Sequence, residues 1–236
     1  MNGFARTLAL ALLSVISAQG AEPNTLEVIY SKLDTPLTLD PASPFWSAGR
    51  PAFIEKDSFG NAAPRLRTEV RTRWTERNLY FLFICPYKEL HLKPNPNPHE
   101  ETNQLWNWDV AEAFIGSDFA DIQRYKEFEV SPQGEWVDLD INLLSPHHED
   151  GWTWNSGFEV LARIDEQKHL WYAAMRIPFS AIDPRPAGVG NTLRLNLFRS
   201  GGPPEHPYAL AWQPPMSKSF HTPERFGLLK LVKKGQ

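Results

Sequence analysis

The 236-residue chain has a single cysteine, Cys85, so it can form no internal disulfide. Cys85 lies inside the apolar run Leu79 to Cys85, where a thiol packs as a small inert hydrophobe. Positive charge is also scarce: 24 Lys and Arg stand against 28 Asp and Glu, a formal charge of −4. That balance argues against nucleic acid or an anionic membrane as the main partner. Beyond the first twenty residues no run is apolar enough to span a bilayer.

Those first twenty residues have their own pattern. Arg6 precedes an apolar stretch from Leu8 to Ile16, and Ala18 and Gly20 flank a cleavage point, as in a secretory leader. The stretch is too short to cross a membrane, and no Cys follows it to carry a lipid. The expectation is a leader over residues 1–20 and an exported chain, extracellular or periplasmic, over 21–236. Its roughly 216 residues suffice for a large core within one domain.

Abundant features point to an all-β domain. Proline occurs 21 times, which suits many loops and few long helices. Segments rich in β-branched and aromatic residues recur between turn signals. They are Leu26 to Tyr30, Arg67 to Trp74, Leu79 to Cys85, Val110 to Ile115, Tyr125 to Val130, Trp136 to Asn142, Phe158 to Ile164, Leu170 to Ile177, Leu193 to Arg199, Tyr208 to Trp212 and Leu228 to Val232. Trp136, Asp138, Asp140 and Asn142 alternate with Val137, Leu139, Ile141 and Leu143, which predicts one wet face and one dry face. Short connections such as Ser131 to Gly134 predict hairpins. The fold expected is an antiparallel β-sandwich, jelly-roll or immunoglobulin-like, of 10 to 11 strands.

The chemistry concentrates near Trp106, Trp108 and Glu112. On a strand, Val110, Glu112 and Phe114 share a face, and a carboxylate between apolar neighbours calls for a partner or a ligand. A sugar would satisfy it, because a pyranose has an apolar C–H face for aromatic stacking and a hydroxyl fringe for charged groups. The alternative is that both tryptophans pack and Glu112 meets a buried arginine. Arg199 follows Leu193, Leu195 and Leu197 in parity and so points inward, with Glu112 and Glu129 as its candidate partners. The run His147, His148, Glu149, Asp150 has weak spacing for a transition metal, though its carboxylates suit calcium. Glu127 with Glu129 and Asp138 with Asp140 are the pairs a glycosidase reading would use. No catalytic motif accompanies them.

Taken in order, several short matches make residues 26 to 233 resemble the family 9 carbohydrate-binding modules and the wider DOMON-like group. The matches run through Leu37 to Asp40, Phe45 to Ala48, Thr68 to Trp74, Trp106 with Glu112, Glu127 to Val130, Ile177 to Phe179, Leu195 to Arg199 and Phe220 to Gly227. The resemblance implies a non-catalytic module that stacks a sugar between the aromatics at 106 and 220, with Glu112 accepting hydroxyl bonds. Phe220 replaces the family's usual tryptophan. Glu129 replaces an arginine, a charge that Arg199 is expected to supply. Trp108, Tyr125, Glu129 and His221 complete the expected rim. The resemblance also implies a structural calcium, glycans of the xylan or glucan class, and separately secreted glycoside hydrolases as partners. A glycoside hydrolase or hydrolase-associated domain and a scaffold that binds no sugar are the competing readings.

Overall fold

The computed structural model describes residues 24–233, and the leader expected at 1–20 lies outside them. In chain order the strands are β1 (Thr25–Tyr30), β2 (Ala52–Ile54), β3 (Lys56–Asp57), β4 (Thr68–Trp74), β5 (Asn78–Pro86), β6 (Val110–Gly116) and β7 (Arg124–Val130). They continue as β8 (Trp136–Asn142), β9 (Glu159–Asp165), β10 (Leu170–Pro178), β11 (Thr192–Gly201), β12 (Tyr208–Ala211) and β13 (Gly227–Val232). The only α-helical segment among the described residues is one turn, α1 (Phe179–Ile182), introduced by Pro178. The all-β expectation holds, and each of the eleven segments read from the sequence contains a strand.

The strands form one nearly closed sheet in the order β8-β7-β6-β11-β13-β1-β4-β5-β10-β9, not two separate sheets. Most neighbours are antiparallel. β1 is the exception, running parallel to both β13 and β4. Bending the sheet on itself brings Ala111, Ala113 and Ile115 of β6 into the same core as Phe81, Phe83 and Cys85 of β5 and Trp171, Ala173 and Met175 of β10. The outer faces are also covered. Tyr80, Leu82 and Ala174 lie under Trp46, Phe45 and Leu39 of the loop before β2, which explains why β5 reads as an unbroken apolar run.

Buried cations hold the connections. Arg73 donates to the backbone carbonyls of Ile29, Tyr30 and Phe45, and Arg194 to those of Asp118, Ile122 and Arg124. The second set fixes the β6–β7 loop. The turn between β7 and β8 closes as expected, with the N–H of Gly134 donating to Ser131 and its φ at 89°.

The wet face expected on β8 needs correction. Asp138 is fully buried; its Oδ2 accepts from the backbone N–H of Ser156 at 2.7 Å, and Trp136 packs on the main core. Asp140 alone of that series is exposed, paired with Lys126 at 2.6 Å. Alternation separates two faces correctly, but the segment 154–158 covers the one taken for solvent.

Candidate functional site

The outer face of β6, β7, β8 and β11 carries a second apolar cluster: Val110, Phe114, Tyr125, Val137, Leu139, Ile141 and Phe198. Over part of it lies a pocket of about 560 Å³, within the size range of ligand sites. Its floor is Glu112 and Phe114 of β6, Glu127 of β7, Leu139 and Ile141 of β8, and Ser200 of β11. Its walls come from loops: Gln104 and Trp106 on one, His148 and Glu149 on another, and Lys218 to His221 on a third.

Local structure explains how Trp106 is placed. Leu105 is fully buried and anchors a single 3-10 turn, Leu105–Asn107, which leaves Trp106 half-buried at the pocket wall. Gln104 enters that turn with φ at 61°, a left-handed conformation uncommon for a non-glycine residue. The loop is then tied down by Asp109, which accepts from the backbone N–H of His91 (2.6 Å), the backbone N–H of Gly202 (3.0 Å) and the Tyr208 hydroxyl (2.7 Å). Trp108 stacks on His91 with ring centroids 4.5 Å apart. It pins the loop and is not part of the pocket wall. Phe220 lies flat on Phe198 at 4.1 Å and 9°, with the pocket beside it.

Three buried carboxylates converge at the pocket floor, Glu112 and Glu127 lining it and Glu129 beneath it. Glu112 and Glu129 face each other across β6 and β7, and Glu127 is two residues from Glu129 on the same face. One carboxylate oxygen from each lies within 4.8 Å of the other two. The Ser200 hydroxyl donates to Glu112 at 3.1 Å. Neither oxygen of Glu129 has a hydrogen-bond partner, and one of Glu127 has none. Burial, with repulsion from neighbouring carboxylates, pushes Glu112 and Glu129 well above the usual carboxylate range, and burial pushes Glu127 up to about 7. Above them Tyr125 and His221 share a 2.6 Å hydrogen bond. Burial and His148 lower His221 to about 4, so the imidazole is neutral.

Of the residues expected from the sequence, Trp106, Glu112, Phe220 and His221 line the pocket. Glu129 lies beneath the floor at 0% exposure instead of on the rim, and Tyr125, 2% exposed, supports His221 from below. Arg199 is misplaced in the sequence reading. It faces the opposite side of β11 from Glu112, which pairs with Phe198, whereas Arg199 is opposite Ala111. Fully buried in the main core, its guanidinium donates to Thr68 Oγ1 at 3.1 Å and lies 5.2 Å from the Tyr208 ring and 5.6 Å from that of Trp171. It therefore neutralises neither Glu112 nor Glu129. Burying a charge without an ionic partner is costly, so an apolar side chain of similar length removes that cost from the core. Arg199→Met should accordingly leave glycan affinity within twofold of the parent in calorimetric titration; a tenfold loss would restore Arg199 to the site.

Glu127, Ser200, His148 and Glu149 join the pocket without having been picked as sugar contacts. The signal for Glu127 was present: Tyr125, Glu127 and Glu129 share a parity that antiparallel pairing turns toward Glu112. Glu149 and Asp150, whose carboxylates suit calcium by type, belong to no cluster of three metal-ligating side chains among the described residues. Glu149 instead meets His147 and His148 at 3.4 and 3.9 Å.

An all-β domain whose long loops build an aromatic-walled, carboxylate-floored pocket is a ligand-binding module by its architecture. Its sequence matches the family described as carbohydrate family 9 binding domain-like over residues 42–234, and the chain belongs to that family, whose members are non-catalytic. A solved family 9 module from Caldicellulosiruptor kristjanssonii in complex with cellotriose is similar in fold. The TM-score is 0.62 at 13% identity, over 90% of this chain and 96% of that one. A putative carbohydrate-binding protein from Bacteroides uniformis gives 0.67 at 17% identity, over 89% and 100%. Endo-1,4-beta-xylanase A of Thermotoga neapolitana is 23% identical over 207 residues, 87% of this chain, which spans only 18% of that enzyme. An extracellular protein of Arthroderma benhamiae is 27% identical over 182 residues, 72% of this chain and 80% of its own length.

Proposed function

We propose that this chain is a secreted module, one domain over residues 21–236, that binds glycans of the xylan or glucan class without cleaving them and works beside separately secreted glycoside hydrolases. The observation that carries this reading is the meeting of Trp106 and Phe220 with the Glu112 carboxylate in one pocket. The aromatic rings take the C–H face of a pyranose, and Glu112 accepts from its hydroxyls. Glu127, His221 and Ser200 supply further polar contacts from the floor and wall.

Partial burial of an aromatic ring contributes roughly 1.5–3 kcal/mol. Each hydrogen bond to a neutral polar group contributes roughly 0.5–1.5 kcal/mol. Loss of translational and rotational freedom costs at least about 4 kcal/mol. Dissociation constants of about 1 μM to 1 mM follow. The test is calorimetric titration with cello- and xylo-oligosaccharides and a wider glycan panel, with reducing-end release assayed on the same samples. Binding in that range with no new reducing ends supports the reading; binding to no glycan overturns it, and steady release of product would make the chain a hydrolase.

A further inference from the structure

The three carboxylates of the floor present a problem that the glycan reading does not solve. Glu112, Glu127 and Glu129 are at most 4% exposed and converge from adjacent strands. Among the described residues no Lys, Arg or His forms an ion pair with any of them. Burying even one unpaired carboxylate is costly, so three close together need either protons or a cation between them. Glu129 is the decisive residue. It is fully buried, points into the cluster, and has a donor for neither oxygen.

We propose that Glu112, Glu127 and Glu129 form a binding site for a divalent, oxygen-liganded cation of the size of Ca²⁺, set in the floor of the pocket. Two oxygens on opposite sides of a Ca²⁺ ion, each about 2.4 Å from it, are about 4.8 Å apart. One oxygen from each of the three carboxylates lies within that distance of the other two, close enough for all three to reach a single ion. Three carboxylates offer up to six oxygens, enough for most of a calcium shell, and the pocket side leaves room for water or a ligand hydroxyl. The donors are all hard oxygens, with no thiolate and no imidazole in the cluster, which disfavours zinc and copper. A bound cation would also give Glu129 the positive partner that Arg199, on the other face of β11, does not supply.

The site is tested with metal alone, so its outcome is independent of whether the chain binds sugar. Trp106 lines the same pocket and can transfer excitation energy to bound Tb³⁺. Chelator-treated protein at pH 7.5 is titrated with Tb³⁺ under tryptophan excitation, then with Ca²⁺ as competitor, and melting is followed with and without Ca²⁺. The expected result is saturable emission displaced by Ca²⁺, a higher melting temperature with Ca²⁺, and at least tenfold weaker Ca²⁺ binding in Glu129→Gln. That variant keeps size and shape, and circular dichroism checks its fold; Glu112→Gln repeats the measurement at a second ligand. An equal Ca²⁺ response in parent and variants would place the cation elsewhere and overturn the proposal. So would absence of any Ca²⁺ response in the parent, which would leave shared protons as the solution to the buried charge.

Discussion

Trp106→Ala should weaken glycan binding by about 10- to 100-fold while leaving the melting temperature within a few degrees of the parent. Trp106 is half-buried on a wall loop. The fold of that loop rests on buried Leu105 and on the three hydrogen bonds to Asp109, none of which the substitution touches. What is lost is an aromatic face, worth roughly 1.5–3 kcal/mol when covered by a ligand. Each 1.4 kcal/mol is tenfold in affinity. Trp108→Ala gives the contrast: that ring packs on His91 outside the pocket, so its loss should affect the loop more than the ligand. Calorimetry on both variants, with melting curves alongside, separates the two effects. Equal affinity in Trp106→Ala and the parent would remove this wall from the site.

The second large effect is on stability as a function of pH. A carboxyl whose pKa is raised by folding holds its proton in the native state after the unfolded chain has released it. Its neutral form then costs nothing below the ordinary value near 4.5, and stability is lost as pH rises from there through the raised value. Glu127 titrates near 7, and Glu112 and Glu129 are held well above the ordinary range. His221, lowered to about 4, acts in the opposite sense, but only below 6.5, because above that it is neutral in both states. The window from pH 6.5 to 8.5 therefore reports the carboxylates. Facing them are Ser200 from β11, apolar Val137 and Leu139 from β8, Tyr125 with neutral His221, and on the pocket wall His148, Glu149 and Lys218; among the described residues none of these forms an ion pair with the three carboxyls. Each retained proton costs about 1.4 kcal/mol per pH unit. For a chain of this length that is about 3–6 °C in melting temperature per pH unit. In chelator, melting should fall across this window, and Glu129→Gln should raise and flatten the curve. A flat parent curve, or a variant that melts lower than the parent at pH 8.5, would mean the three carboxyls are not coupled as described.

Much of this was legible in the sequence, for reasons the strands make plain. β-branched and aromatic runs between turn residues located all the long strands, because those runs are buried on at least one face. β2 and β3 were missed, since strands of three and two residues carry no period. The parallel setting of β1 was not legible either, because its partners β4 and β13 are distant in sequence. Parity correctly turned Arg199 inward. Its supposed contact with Glu112 failed because the register of β11 on β6 places Arg199 opposite Ala111, and nothing in either segment encodes that register. The carboxylate trio was half visible. Glu127 and Glu129 share a face by spacing alone, but the loop 117–123 is too long to fix the β6–β7 register that sets Glu129 against Glu112. The family likeness placed Trp106, Glu112 and Phe220 together, which strand patterns alone could not have done.

A glycan bound in this pocket must contact the wall formed by Trp106. Indole N–H resonances of ¹⁵N-labelled protein, with the Trp106 signal assigned by its disappearance in Trp106→Phe, can be followed during titration with a cello- or xylo-oligosaccharide that binds. The Trp106 resonance should shift progressively and saturate with the calorimetric affinity, while those of the core tryptophans Trp46 and Trp171 stay fixed. Binding that leaves the Trp106 resonance in place would contradict the account and put the glycan site elsewhere on the molecule.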